Sequence, residues 1–182
     1  ALGHDAGVPR VLGPHEPAGE TSSGLIVGPG TGDNMGAALG LALEPGDVVV
    51  SLGTSGTAFA VSTRAATDAS GLVAGFADAA GRYLPLVCTL NAARVLTSVA
   101  AALGVDFDGF AALALAARPG ADGLVLLPYF DGERTPNLPT ATGSLHGMTR
   151  DNLTPPNIAR AAIEGMLSGL ADAVDALIDV GV

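Results

Sequence analysis

Tryptophan is absent from the 182-residue chain, aromatic residues make up only 4% of it, and cysteine occurs once. A core without large rings has to be built from Ala, Val and Leu, and apolar residues at 48% supply ample material for one. Small side chains in turn imply close packing of helix on sheet. The lone Cys88 excludes an internal disulfide; its neighbours Leu86, Val87 and Leu90 predict a buried thiol, which fits a reducing, cytoplasmic setting. Positive charge is equally scarce. Lys and Arg together number 8, scattered singly, against 18 Asp and Glu, for a net charge of −10 and a pI near 4.4. That balance excludes a nucleic-acid footprint, which needs clustered cations. No run reaches the ~18 uninterrupted apolar residues of a membrane span, so no membrane partner is expected. The opening residues, ALGHDAGVPR, lack the basic, apolar and cleavage regions of a secretory leader and do not begin with Met, so a fragment or processed chain is expected. No internal repeat with a period of about 20–50 residues is evident.

What the chain has in plenty is glycine, 26 residues, and two glycine-rich turns fall within one stretch, Val27 to Val61. The first follows a short buried-strand signal at Leu25–Val27 and ends in Asp33-Asn34, just before the helix-like run Met35 to Leu43. Asp at a helix start has two readings. It can cap the orphan amides of the first turn, or it can act as a general base on a hydroxyl that attacks a phosphoryl group. The two are compatible, because a helix N-terminus holds a carboxylate in place. The second turn, Gly53-Thr54-Ser55-Gly56, lies between the β-branched run Val48–Leu52 and its returning partner Thr57–Val61. It reads either as an ordinary hairpin turn or as a phosphate cradle, since short glycine turns can aim several N–H groups at one anion. The same residues nearly spell the serine-hydrolase elbow G-x-S-x-G around Ser55. Thr57 replaces its last glycine and a hairpin replaces its strand-to-helix turn, so that reading is rejected.

The remainder reads as alternating strands and helices, which sets the class as α/β. Residues 1–24 form a polar connection with one extended piece at Arg10–Leu12, and His4 and His15 stand too isolated to ligate a metal. Residues 62–80 read as a mobile excursion, Arg82–Leu90 as a strand, Ala92–Leu103 as an Ala-rich helix stopped by Gly104, and Phe110–Ala117 as a second helix. Leu124–Leu127 predicts a strand that runs into a Pro- and Gly-bearing loop, Pro128–Pro139. Within that loop Glu133-Arg134 reads as a surface ion pair of little worth. His146 reads as a loop histidine. Thr154, with Pro155 and Pro156 behind it, starts a last helix whose apolar face carries Ile158, Ala162, Ile163, Met166, Leu167, Leu170, Val174 and Leu177; Arg160, Glu164, Asp172 and Asp175 form its solvated side.

Three segments, Gly30-Thr31-Gly32-Asp33-Asn34, Ser51-Leu52-Gly53-Thr54-Ser55-Gly56 and Leu127 to Pro136 (LPYFDGERTP), occur in the order in which the FGGY carbohydrate kinases carry them. From about Pro9 to Val182 the chain resembles the middle of such a kinase, most closely the xylulokinases. The resemblance implies a ribonuclease-H-like, actin-type ATPase fold, present in part. Residues 1–45 would be the end of the N-terminal lobe with its GDN turn, and 46–182 the C-terminal lobe, truncated before the adenosine loop. It further implies that Asp33 is the general base, that Asp33 and Asn34 lie in the sugar site, and that Gly53, Thr54 and Ser55 contact the nucleotide phosphates. The start of the Ala-rich helix, Asn91 and Ala93, would approach the nucleotide; the family's usual Gly and Trp there are replaced by the Asn91-Ala92-Ala93 run and by Ser98. Implied cofactors are ATP and Mg2+, with no metal held by protein ligands alone, and the implied partner is a small sugar, D-xylulose, phosphorylated at its terminal hydroxyl; a homodimer fits the family. Because gluconate-type kinases share the GERTP text, kinases of gluconate, glycerol or another polyol are the alternative, and a non-catalytic actin-like fragment is the alternative of another class. A two-lobed kinase closes a dry site from both sides, so the segment alone is expected to be inactive.

Overall fold

Prolines and glycines break the N-terminal part of the computed structural model into short extended pieces; the structure describes residue 7 and residues 9–182, so His4 lies outside the described residues. Strand β1 (Gly19–Glu20) pairs antiparallel with β2 (Ile26–Val27), and the Thr21 hydroxyl accepts the Leu25 N–H at 3.0 Å across the turn. Two sequence expectations are corrected here. Arg10–Leu12 is irregular, and the Leu25–Val27 strand is exposed, with Leu25 at 67% and Ile26 at 74%. Pairing with β1 satisfies the backbone of β2 but brings no apolar face over its side chains.

Helix α1 (Asp33–Gly40) leads to a three-stranded antiparallel sheet of β3 (Val48–Leu52), β4 (Gly56–Ala60) and β5 (Leu86–Thr89), in that spatial order. The returning strand starts one residue earlier than expected, because Gly56 pairs with Leu52 on one side and Thr89 on the other. Any side chain at Gly56 would stand 2.6 Å from the Thr89 hydroxyl and 2.7 Å from Leu170, so the close approach needs glycine. The strand predicted over Arg82–Leu90 is regular only at Leu86–Thr89; ahead of it Tyr83 exchanges backbone hydrogen bonds of 2.9 and 3.0 Å with Ser62, and the Pro85 carbonyl accepts the Ala60 N–H at 3.2 Å, while Pro85 has no N–H of its own to donate. Residues 62–80 are not a free excursion. Ala74 and Leu86 exchange backbone hydrogen bonds of 2.8 and 3.0 Å, and Val73 is buried. Asp68 pins the turn before them, accepting from the Val73 N–H and from the Ser70 hydroxyl and N–H, which hold its carboxyl down at about 2.

Beyond the sheet, α2 (Ala93–Leu103) stops at Gly104, whose φ of 70° ends the helix in the left-handed region. Helix α3 (Phe107–Ala116) begins three residues before the predicted Phe110, because the Asp106 carboxylate caps it by accepting the Gly109 N–H at 2.8 Å. Strands β6 (Val125–Leu127) and β7 (Ser144–His146) form a separate hairpin, so His146 sits in a strand, its Nε2 2.8 Å from the Ser144 hydroxyl. Helix α4 (Pro155–Asp179) starts as expected, the Thr154 hydroxyl accepting the Asn157 N–H with two prolines in the first turn. It touches β4, β5, β6, α2 and α3 and is the spine of the chain. Ala162, Met166, Leu170, Ala173 and Leu177 are buried along it, while Leu167 points out at 45% exposure. Its polar side is not merely solvated. Burial would raise the Glu164 carboxyl, but the Gly120 N–H and the Arg160 guanidinium bond to it and hold it below the usual carboxylate range.

Side chains alternate across the sheet, and that alternation sets the architecture. Ala58, Ala60 and Val87 face Ala173 and Leu177 of α4, whereas Phe59, Val61 and Leu86 face the other way, packing with Ala38 and Met35 of α1. A further core joins α2, α3, β6 and α4 around Val95, Phe110, Leu124 and Ala162. Helices thus cover both faces of the sheet, and the start of α1 is delivered to the side opposite α4. No single helix among the described residues is long and apolar enough to cross a membrane.

Candidate active site

At the start of α1 the N-cap is Gly32, which has no side chain to offer, so Asp33 is the first helical residue and not the cap. Its Oδ1 accepts the Asn34 backbone N–H at 2.8 Å and the Asn34 Nδ2 at 3.2 Å, which satisfies one orphan amide from inside the helix. Oδ2 takes no donor among the described residues, and the side chain is exposed. Gly30, at φ 76°, makes the bend that turns the chain from β2 into this helix.

Asp33 and Asn34 open onto a cavity of about 300 Å³. Its floor is the sheet face at Leu86 and Cys88, its side the segment from Gly71 to Phe76, and its far wall Arg134 and Thr135. Cys88, expected to be buried, is half-exposed, because alternation along β5 turns it toward this cavity. The cavity is therefore a largely apolar pocket whose lining also includes Asp33, Asn34, Arg134 and Thr135, the usual make-up of a small-molecule site.

Residues 53–55 close the β3–β4 hairpin outside this cavity. Gly53, Thr54 and Ser55 are exposed, and the Gly53 carbonyl accepts the Ala93 N–H from the first turn of α2 at 3.0 Å. That helix start has no capping side chain and no acidic residue in its own first turn. The bend and the cavity are neighbours across the sheet: Thr57, two residues past Ser55, lies opposite Cys88 on the cavity floor.

Glu133 corrects the expectation of a surface ion pair. Its residue is 3% exposed, and its carboxylate turns inward, accepting the Leu90 N–H at 2.6 Å and the Asn91 Nδ2 at 2.9 Å, along with the Arg134 N–H at 2.7 Å. Asn91, 4% exposed, also donates to the Gly132 carbonyl at 2.7 Å. Gly132 has φ 81° and lies so close to the Pro139 carbonyl that a side chain would collide with it. The structure thus gathers the residues singled out from the sequence into two groups. Asp33 and Asn34 share the cavity with Arg134 and Thr135; Gly53 and Ala93 are hydrogen-bonded to each other, with Asn91 beside them tied to Glu133. Glu133, Arg134 and Thr135 had only the GERTP text to mark them, and alternating burial along a loop cannot be read from a charge pair. Among the described residues no group of three or more His, Cys, Asp or Glu side chains is placed to hold a metal ion.

Residues 48–181 match the C-terminal domain of the FGGY family of carbohydrate kinases. The chain belongs to this family. It is 48% identical over 180 residues to a xylulose kinase of Streptomyces coelicolor, covering 94% of this chain and 36% of that protein. A gluconokinase of Bacillus licheniformis is 31% identical over 155 residues, covering 78% of this chain and 30% of that protein. The crystal structure of xylulose kinase from Bifidobacterium adolescentis superposes with a TM-score of 0.85 at 48% identity, covering 95% of this chain and 36% of that one. The fold is accordingly part of the actin-type, ribonuclease-H-like ATPase fold of the FGGY kinases, and the chain spans a little over a third of the length of these xylulose kinases.

Proposed function

We propose that this FGGY chain supplies the catalytic base and part of the nucleotide site of an ATP-dependent kinase that converts D-xylulose to D-xylulose 5-phosphate. The observation that carries the reading is the unengaged Oδ2 of Asp33, which lies with Asn34 on the lining of a partly open cavity of sugar size. In this mechanism Asp33 takes the proton of the sugar's terminal hydroxyl as that oxygen bonds to the γ-phosphorus, and ADP leaves with the electrons of the broken phosphoanhydride bond. Asn34 orients the sugar. The hydroxyls and amides of Gly53, Thr54 and Ser55, with the α2 start at Ala93, face the nucleotide phosphates, where glycine-turn amides and a helix N-terminus both favour anions, and the buried Asn91 supports that helix start from behind, its amide committed to Gly132 and Glu133. Mg2+ would travel with the nucleotide, bound through its phosphates. Residues 1–45 belong, on this reading, to the end of one lobe and residues 46–182 to the other.

The sugar follows the likeness to xylulose kinases. Gluconate is the second reading, favoured by one feature: Arg134 lines the cavity, and its guanidinium suits the carboxylate of a sugar acid. A substrate panel on the full-length polypeptide that contains these residues separates the two by ADP release. The expected result is turnover with D-xylulose well above that with gluconate or glycerol; preference for gluconate overturns the choice of sugar, and no turnover with any sugar overturns the kinase reading. The 182-residue chain alone should release no ADP.

A further inference from the structure

Glu133 is a buried carboxylate that the mechanism above leaves unused. No cation lies within ion-pair distance of it among the described residues. Burying a carboxylate without a counter-ion is costly unless hydrogen bonds surround the charge. Here they come from two places. The Arg134 N–H belongs to Glu133's own loop, whereas the Leu90 N–H and the Asn91 amide belong to the run between β5 and α2. One carboxylate therefore joins two pieces of chain that are far apart in sequence. On one side Arg134 and Thr135, the next two residues, form the wall of the Asp33 cavity. On the other, Asn91 lies two residues before Ala93, whose N–H holds the Gly53 carbonyl of the bend.

We propose that Glu133 is a positioning residue, which fixes the separation between the sugar cavity and the phosphate bend without touching sugar or nucleotide. The inference rests on the kinase reading and deepens it. In-line transfer requires the attacking oxygen and the γ-phosphorus to meet at a set distance, and loosening a well-oriented pair by about an ångström can lower a rate about a hundredfold. Each half-site is built from its own local contacts, so relaxing the clamp leaves both able to bind and spoils only their spacing. The signature is a fall in kcat with little change in KM for either substrate.

The test uses Glu133→Gln in the full-length polypeptide. Glutamine keeps the size and one acceptor for Leu90, but its amide nitrogen meets the Asn91 amide donor to donor, so the clamp slackens while the loop stays filled. The expected result is a fall in kcat of about a hundredfold with KM values for D-xylulose and ATP within about twofold of wild type. Asn152→Ala serves as the structural control: Asn152 is buried and donates to the Asp122 and Gly147 carbonyls, away from the cavity and the bend, so its loss should lower the melting temperature and leave kcat per folded molecule unchanged. Should Glu133→Gln fail to fold, Glu133→Asp keeps the charge but falls short of Asn91 and should give a smaller fall in kcat, again at constant KM. A Glu133→Gln enzyme with wild-type kcat, behaving like the Asn152 control, overturns the inference and leaves the kinase reading standing. A wild-type protein that releases no ADP with any sugar overturns both.

Discussion

Asp33 of the GDN turn and Glu133 of the loop of residues 128–139 are two carboxylates held in opposite ways. Asp33 is exposed, bonded through one oxygen to its own neighbour, with the second oxygen left to the cavity. Glu133 is 3% exposed and has both oxygens committed to protein donors. A group that takes a proton must keep a lone pair within reach of substrate, while a group that fixes geometry does so by using its lone pairs on the protein. On the proposed reading, burial and hydrogen bonding, more than residue type, divide the two tasks.

Truncating each carboxylate in the 182-residue chain puts that contrast under the greatest strain. Glu133→Ala leaves the donors at Leu90, Asn91 and Arg134 without their acceptor, and urea unfolding should record a loss of about 2–4 kcal/mol. Asp33→Ala, at an exposed helix start, should change stability by no more than about 0.5 kcal/mol. Equal losses would mean that the two groups are not held differently.

Asp68 offers a finer test, because it is engaged like Glu133 but remains open to solvent. The Val73 N–H, then the Ser70 hydroxyl and N–H, hold its carboxyl down at about 2 from an ordinary 3.8. A carboxyl with a depressed folded value stabilises the fold fully above its unfolded value and loses that contribution as pH falls through the folded one. Amide-exchange protection at Ser70 and Val73, corrected for intrinsic exchange, should therefore hold at pH 5 and above, weaken below about 4 and disappear near 2. Protection already lost at pH 5 would show that the turn is not held by this carboxylate.

Much of the fold was legible because local chemistry decided it. The β-branched Val48–Leu52 run, Gly104 behind an Ala-rich helix and Thr154 ahead of two prolines each produced the expected element. Where reading failed, long-range contacts decided. The Leu25–Val27 side chains have strand character but no covering face, and residues 62–80 look free in sequence yet are tied to β5 by Ala74. Within the candidate site the glycine turn and Asp33-Asn34 could be read from residue type and order. Glu133 could not, since a Glu-Arg pair in a proline-rich loop looks the same whether the acid faces water or faces the buried Asn91.

The claim on which the rest depends is that Asp33 removes a proton from a sugar hydroxyl, and Asp33→Asn in the full-length polypeptide tests it most directly. Single-turnover phosphoryl transfer to D-xylulose should fall by about 10²–10⁴-fold while ATP binding, measured by calorimetry, stays at its wild-type strength. Transfer at the wild-type rate by the pure variant would contradict the account.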